Sequence, residues 1–461
     1  MTLWRSGSEL EPSSELLKFT SSLEIDYRLY PYDIRASKAW AAALEEAGAI
    51  DDQQRESINR ELDNIKEELD SGELELDPEL EDIHMNIESI LINRLGDTGA
   101  RLHFGRSRND QVLVDVKLYL RDVLIELQKN VTGVMKQLLD QAEKNEETYM
   151  PGFTHLQPAQ PISLAHYLMA FFQKLKRDFR RLRSCFDAVD VLPLGSGALA
   201  GSGLAINREQ LAQELGFSRI SENSLDAVSE RDFMVDILHA LSQLGIHASR
   251  LCEDWIIWAS PSFGFCEFDD KFTTGSSIMP QKRNPDIAEL IRGRTARPIS
   301  SLHGLLTVLK AQPLTYNRDL QEDKVHLFSA IDCVSEWLPL LAGMVETMRF
   351  NSERMSEALE KGYPEATDLA DYLVEKGVPF RKAHNQLREI VLMAINKDKR
   401  LEELDLSDYH AVNKQFEEDL FELLSPAASL SRRDLPGGTG PVSVKNQIDA
   451  ARTWLLDRDY L

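Results

Sequence analysis

The segment NDQVLVDVKLYLRDVLIELQKNVTGVMKQLLDQAEKNEET, from Asn109 to Thr148, decides the fold. Val112, Val116, Leu120, Val123, Leu127, Val131, Val134 and Leu138 recur at spacings of three and four, the period of one helix face. No Gly-Pro pair breaks the run, so the spacing predicts a helix far longer than the ~12 residues of an average one. Similar patterns follow at about 162–188, 225–258, 286–311 and 323–349, while alternating strand patterns are nearly absent. Long helices crowded into one central segment predict an elongated bundle. Leu302, Leu305, Leu306, Val308 and Leu309 spread around much of one helix. A helix apolar all round is buried on all sides, so assembly between chains is expected.

Shorter helical patterns flank this bundle. Turns at Gly48, Ser71-Gly72 and Gly96-Asp97 mark the first part of the chain, and breaks at Gly362-Tyr363-Pro364, Gly377-Val378-Pro379 and Gly437 to Pro441 mark the last. Three domains are expected, at 1–105, 106–350 and 351–461. A chain of 461 residues exceeds one ordinary core.

Lys and Arg number 52 against 76 Asp and Glu, a net charge of −24. That balance excludes nucleic acid or an anionic membrane as the main partner, but not a small anion in a local basic cleft. The acid is read as solvated helix face, as from Glu61 to Glu81. Cys185, Cys252, Cys266 and Cys333 show no metal or redox spacing and read as buried or free thiols in a reducing cytosol. No signal peptide is indicated, and no apolar run approaches the ~20 residues of a membrane span. A cytoplasmic protein is expected. No P-loop, HExxH or CxxC occurs, so neither a metal nor an organic cofactor is expected. Gly195-Ser196-Gly197-Ala198-Leu199-Ala200-Gly201 is one residue off the dinucleotide fingerprint and lacks βαβ context. It reads as a tight turn or a close backbone approach.

Three polar islands interrupt the helices. Leu102-His103-Phe104-Gly105-Arg106-Ser107-Arg108-Asn109-Asp110 leads into the long helix, which Asn109 or Asp110 can cap. Two arginines beside Ser107 and Asn109 make a fork suited to carboxylates; a capping turn with solvated arginines is the plainer reading. The second island, Pro151-Gly152-Phe153-Thr154-His155-Leu156-Gln157-Pro158-Ala159-Gln160-Pro161, joins two long helices. Its prolines make a stiff connector that fixes His155, either as a proton carrier or as a structural histidine.

The third island is a loop of about 25 residues from Ser260 to Asn284, a length that is usually functional or disordered. It contains Thr273-Thr274-Gly275-Ser276-Ser277-Ile278-Met279-Pro280-Gln281-Lys282-Arg283-Asn284-Pro285-Asp286. Gly275 supplies freedom and Pro280 interrupts any helix. Asn284-Pro285-Asp286 reads as a helix start, with Asn as N-cap and Pro at the first helical position. Ser276 can act as a nucleophile or, deprotonated, as a base, its anion favoured by Lys282 and the helix N-terminus. A flexible surface loop is the plainer alternative.

Together the islands resemble the fumarase/aspartase superfamily, and within it the argininosuccinate lyase family, over nearly the whole chain. Gly275 to Pro285 is similar to the superfamily signature. Its Gln281-Lys282 is the variant of this branch, where fumarases carry Gly-Lys and adenylosuccinate lyases His-Lys. Gly105 to Gln111 points to the same branch. So do Asp82-Ile83-His84, Thr154 to Gln157, Pro193 to Gly201, and Tyr316 to Lys324.

The resemblance implies an all-α, three-domain fold whose long helix bundle is shared in a homotetramer, with each active site combining islands from three chains. It implies reversible elimination of argininosuccinate to L-arginine and fumarate, the last step of arginine biosynthesis. It assigns Ser276 as base, on a loop that closes to desolvate it. Lys282 and Asn284 become stabilisers of the dianionic intermediate, and His155, oriented by Glu289, serves the leaving nitrogen. Ser107, Arg108, Asn109 and Thr154 would hold the succinyl carboxylates; Ser22, Tyr316, Gln321 and Lys324 would hold the remainder. Phe104 replaces a common threonine, Leu3 to Gly7 replaces the usual Trp-Gly-Gly-Arg-Phe arm, and Gln157-Pro158 replaces Gln-Arg. A related lyase acting on another N-succinyl compound, or a catalytically silent crystallin-like structural protein, are the alternatives.

Overall fold

The computed structural model describes residues 13–360 and 362–457; the arm from Leu3 to Gly7 lies outside them. The chain is 69% helical. Strands occur among the described residues only as short two-stranded ladders, as an all-α chain requires. The chain gathers into two compact units, each from three separate segments. One comprises Met1–Gln128, Arg180–Gln243 and Ala296–Val334; the other comprises Lys129–Phe179, Leu244–Thr295 and Ser335–Leu461.

The decisive segment forms a single helix, Arg108–Lys144, of 37 residues, about 55 Å at 1.5 Å per residue. Val116, Leu120, Leu127, Val131, Val134 and Leu138 are buried along it, with Leu124 between them. Val112 and Val123 lie on the flanks of the stripe, half-exposed. The other long helices are Leu164–Val189, Asp232–Trp258 and Asp323–Thr347. Two expected helices are broken. The pattern from 225 splits into Ser224–Ser229 and Asp232–Trp258, because Arg231 turns inward to pair with Asp323. The pattern from 286 splits at Thr295 into Asp286–Arg294 and Ala296–Leu309, where Pro298 lacks an N–H to continue the ladder.

In the first unit, helix Asp52–Ser71 opens on a capping box made by Asp51 and Gln54 and ends at Gly72 with φ 73°. It buries Ile58, Leu62, Ile65 and Leu69 on one stripe. Glu61 and Glu68 on its outer side pair with Arg94 at 2.8 and 2.7 Å. The acidic run is therefore a helix face only as far as Ser71; beyond it the chain is irregular up to Asp82.

In the second unit, the C-terminal helices enclose a core around Leu373, Ile390, Tyr409, Phe416 and Leu420. Tyr372 stacks on Phe416 with ring centroids 5.9 Å apart. All four cysteines are buried and none forms a disulfide. One helical stretch, Arg318–Thr347, has a window long and apolar enough to cross a membrane by length and composition. Its charged residues hid it from a search for unbroken apolar runs. Since 56% of that window is buried within the chain, it packs as a core helix does.

Candidate active site

The first unit contains a cleft of about 600 Å³ at the N-terminus of the long helix. It brings together Ser22, Ser107, Arg108, Asn109, Tyr316, Gln321 and Lys324, which lie as far as 302 positions apart in sequence. A larger recess of about 900 Å³ in the same unit has more carboxylates than cations in its lining and holds none of the expected site residues.

The cleft is built from the helix start. Ser107 rather than Asn109 caps it: Asn109 N–H donates to Ser107 Oγ at 3.3 Å, and Asp110 Oδ1 accepts from Ser107 N–H at 2.9 Å. Asp110 Oδ2 accepts from the N–H groups of Gly195 and Gly197 at 3.0 and 2.7 Å. One buried carboxylate thus ties the helix to the glycine loop, whose role is close backbone approach, one of the two readings of that motif. Gly105 adopts φ 79°, which strains any residue with a Cβ, and a Cβ there would also have to displace Leu204 Cδ1, 2.5 Å away.

The two arginines do not form a symmetric fork. Arg106 is buried, with Nη1 donating to Ser37 Oγ at 3.0 Å. Arg108 keeps partial exposure; Nη1 donates to Gln111 Oε1 at 2.6 Å and Nε lies 3.2 Å from Asp82 Oδ2. Burial and the charges of Arg106 and Arg108 push His103 down to about 4, so it is neutral at pH 7. Asn109 Nδ2 donates to Ala198 O at 3.0 Å.

The opposite rim carries a buried ionic chain. Lys324 Nζ lies 3.2 Å from Asp323 Oδ1 and 3.7 Å from Asp26 Oδ1, and Asp323 Oδ2 accepts from Arg231 Nε at 2.6 Å. Burial alone would lower Lys324; Asp323 and Asp26 outweigh it and keep the ammonium charged. Asp26 also accepts from Ser22 Oγ. Gln321 Nε2 donates to Thr20 O at 3.2 Å, and burial raises the phenol of Tyr316. Asp26 and Arg231 were not anticipated. A carboxylate at Ile25-Asp26 and an arginine at a helix break carry no local pattern that marks them.

Beneath the cleft, Asp33, His84 and Asp115 lie close enough to share a cation. Gln111 instead donates to Asp33 at 2.5 Å, and His84 sits 3.1 and 3.2 Å from the two carboxylates. With Arg106 alongside, the two acids face two bases and no net negative charge is left to attract a divalent ion.

In the second unit, the stiff connector formed by the proline-rich island is a β-hairpin, Tyr149–Thr154 with Gln157–Ser163. Prolines mask the strand pattern; Pro158 and Pro161 sit on this two-stranded ribbon, where each strand has one unpaired edge. The tip is the pair His155 and Leu156, with φ 56° and 58°. That is the two-residue turn in which Asn-Gly is usual. Thr154 and His155 are exposed there. Phe153 anchors the ribbon against Phe263 and Phe265, 5.8 and 6.3 Å between centroids.

The serine loop is a hairpin too. Thr274 pairs with Asn284 and Gly275 with Arg283, leaving Ser276 to Lys282 as its tip. Asn284 therefore belongs to a strand, and Pro285 takes the N-cap position of helix Asp286–Arg294. Gly275 has no positive φ, so the turn does not demand glycine there. Ser276 Oγ accepts from Met279 N–H at 3.1 Å and from Ile278 N–H at 3.4 Å. These two backbone donors would favour a serine oxyanion. Lys282 Nζ donates to Asn284 Oδ1 at 2.7 Å, which unites the two residues expected to meet the dianion. Glu289 is exposed in the first turn of that helix. Among the described residues no hydrogen bond joins His155 to Glu289 or Ser276 of the same chain.

Residues 11–299 match the lyase family model, and residues 363–431 match the argininosuccinate lyase C-terminal family. The chain belongs to the argininosuccinate lyase family. It is 46% identical over 449 residues to the argininosuccinate lyase of Acetivibrio thermocellus, covering 97% of this chain and 98% of that one. Against the enzyme of Heliobacterium mobile the identity is 48% over 450 residues, 98% of each. Among solved structures, EDDS lyase in complex with formate superposes with a TM-score of 0.84 at 28% identity, covering 94% of this chain and 88% of that one. The class II fumarase of Schistosoma mansoni gives 0.73 at 16%, covering 86% and 90%, which shows the shared fold. In this argininosuccinate lyase family member, Ser276 and Lys282 lie on one hairpin tip and His155 on another. Phe104, 56% exposed, does not line the cleft of its own chain; its carbonyl accepts from Trp40 Nε1 at 3.2 Å.

Proposed function

We propose that this chain eliminates L-arginine from argininosuccinate, releasing fumarate, reversibly, as the last step of arginine biosynthesis. Full-length identity of 44–48% to relatives named argininosuccinate lyase carries that reading. Ser276 Oγ takes the proton from the succinyl carbon beside a carboxylate. The electron pair passes into that carboxylate, which becomes a dianion, then returns to form the double bond as the carbon–nitrogen bond breaks. His155 delivers a proton to the departing guanidinium nitrogen, directly or through water, with Glu289 orienting it. Two backbone N–H groups lower the cost of the serine oxyanion, and Lys282 and Asn284 face the dianion.

Ser107, Arg108, Asn109 and Thr154 hold the succinyl carboxylates. Ser22, Tyr316, Gln321 and Lys324 hold the arginine portion. The reaction has no net oxidation or group transfer, so proton movement and charge stabilisation suffice.

The assembly is a cytoplasmic homotetramer with each site drawn from three chains, and it binds neither nucleic acid nor membrane. Leu290, Ile299, Leu306 and Leu340 support assembly: they are 39–49% exposed on helices that also bury apolar residues. Incubation with argininosuccinate, followed by the ultraviolet absorbance of fumarate, tests the reading. Ser276→Ala should assemble normally and lose roughly 10³-fold or more of kcat. Fumarate from another N-succinyl adduct but not from argininosuccinate would overturn the substrate, and retained turnover in Ser276→Ala would overturn the base.

A further inference from the structure

The cleft arginine is set by a buried polar chain that does not reach the substrate. Arg108 has five N–H groups. Gln111 Oε1 occupies one on Nη1 at 2.6 Å, Glu88 Oε2 faces Nη2 at 3.4 Å, and Asp82 Oδ2 faces Nε at 3.2 Å. One N–H on each terminal nitrogen remains, enough for a single carboxylate to engage in bidentate fashion.

Which way round Gln111 stands decides this arrangement. Its amide has a donor end and an acceptor end, and the two look alike in shape. Asp33 settles the choice, because an ionised carboxylate only accepts. Gln111 Nε2 donates to Asp33 Oδ1 at 2.5 Å, so its carbonyl must face Arg108, which only donates. Asp33 is 1% exposed, Gln111 1% and His84 0%, so water cannot substitute for any link. His84, 3.1 Å from the same Asp33 oxygen, supplies the positive partner that keeps the carboxylate ionised, and Arg106 adds to it. Reversing the amide would turn two donors toward the guanidinium and release Nη1 to rotate toward Asp82 or Glu88.

We propose that Gln111 is a positioning residue, oriented by Asp33 and His84, that fixes the edge Arg108 presents to the succinyl carboxylates. The buried cluster then sets affinity for the dicarboxylate half of the substrate without touching it. This rests on Arg108 as a carboxylate ligand in the lyase reaction.

The test uses the whole assembled enzyme, with fumarate and arginine as separate inhibitors. Gln111→Met preserves length and removes both hydrogen bonds. Its inhibition constant for fumarate should weaken roughly tenfold, and that for arginine should hold. Gln111→Asn keeps the amide but falls one methylene short, and should behave the same way if Gln111→Met fails to assemble. Asp33→Asn lets the amide stand either way round, and should weaken fumarate alone. Parallel losses for fumarate and arginine would mean that Gln111 merely supports the fold, and no change in either would remove it from the site; both overturn the proposal. A wild-type enzyme that cleaves argininosuccinate but is indifferent to Gln111→Met sinks the positioning role alone. A wild type with neither turnover nor fumarate affinity sinks the lyase reading, and the positioning role with it.

Discussion

His84 is sealed from solvent with two carboxylates within 3.2 Å. Burial pushes its imidazole down, but hydrogen bonding to the Asp115 and Asp33 carboxylates outweighs that and lifts it to about 10. Burial and the charge of Asp33 raise Asp115 to about 8. Both groups hold protons more tightly in the folded chain than in the unfolded one, where they titrate near 6.5 and 3.8. The contribution of these two groups to stability therefore falls as pH rises. The part due to His84 is whole below about 6.5 and gone above about 10. Denaturation midpoints at fixed protein concentration should drop from pH 7 to pH 10. His84→Asn should be less stable by about 3 kcal/mol at pH 7 and show a flatter alkaline arm. An unchanged slope in that variant would place the alkaline loss elsewhere. The residue types at the cleft were legible in the chain, because Arg, Ser and Asn gathered in one short island suit an anion as well as a helix cap. The supporting layer was not. Asp33, Asp115 and Arg231 sit inside helical patterns and acquire meaning only from partners distant in sequence.

The two hairpins are the elements on which the chemistry hangs. Each was readable as a polar island, yet neither was readable as a strand pair, since prolines and glycine erase the alternation that marks strands. The turn at His155 and Leu156 places two residues with Cβ atoms in the left-handed region, at a cost of about 1 kcal/mol each. Phe153 against Phe263 and Phe265 holds the ribbon in place and offsets that strain. Leu156→Gly should relieve one strained position and raise stability by up to about 1 kcal/mol. It should also lower kcat several-fold, because the freed tip no longer fixes the imidazole. Thermal unfolding and steady-state kinetics on the same preparation decide it. A variant that is both less stable and equally active would contradict strain as a positioning device.

On the scale of the whole molecule, no hydrogen bond among the described residues joins Ser276, His155 and Glu289, the groups proposed to move protons, to one another. Ser276 bonds to its own loop, Lys282 to Asn284, and His155 and Glu289 stand exposed. A site completed by neighbouring chains accounts for this. Mixing Ser276→Ala with His155→Asn, after dissociation and reassembly, should restore a measurable fraction of wild-type activity, since some mixed sites then contain no altered residue. Two inactive preparations that stay inactive once mixed would argue for sites built within one chain. The sequence by itself determined the helical class, the extent of the longest helix and the residue types of the islands, because periodicity and residue type are local properties. The tertiary structure alone decided that Ser107 caps the long helix and that Asp110 ties it to the glycine loop. It also decided that Gln111 faces Arg108 by way of Asp33. Each of these depends on burial, which turns an ordinary polar residue into one that must find a partner across the fold.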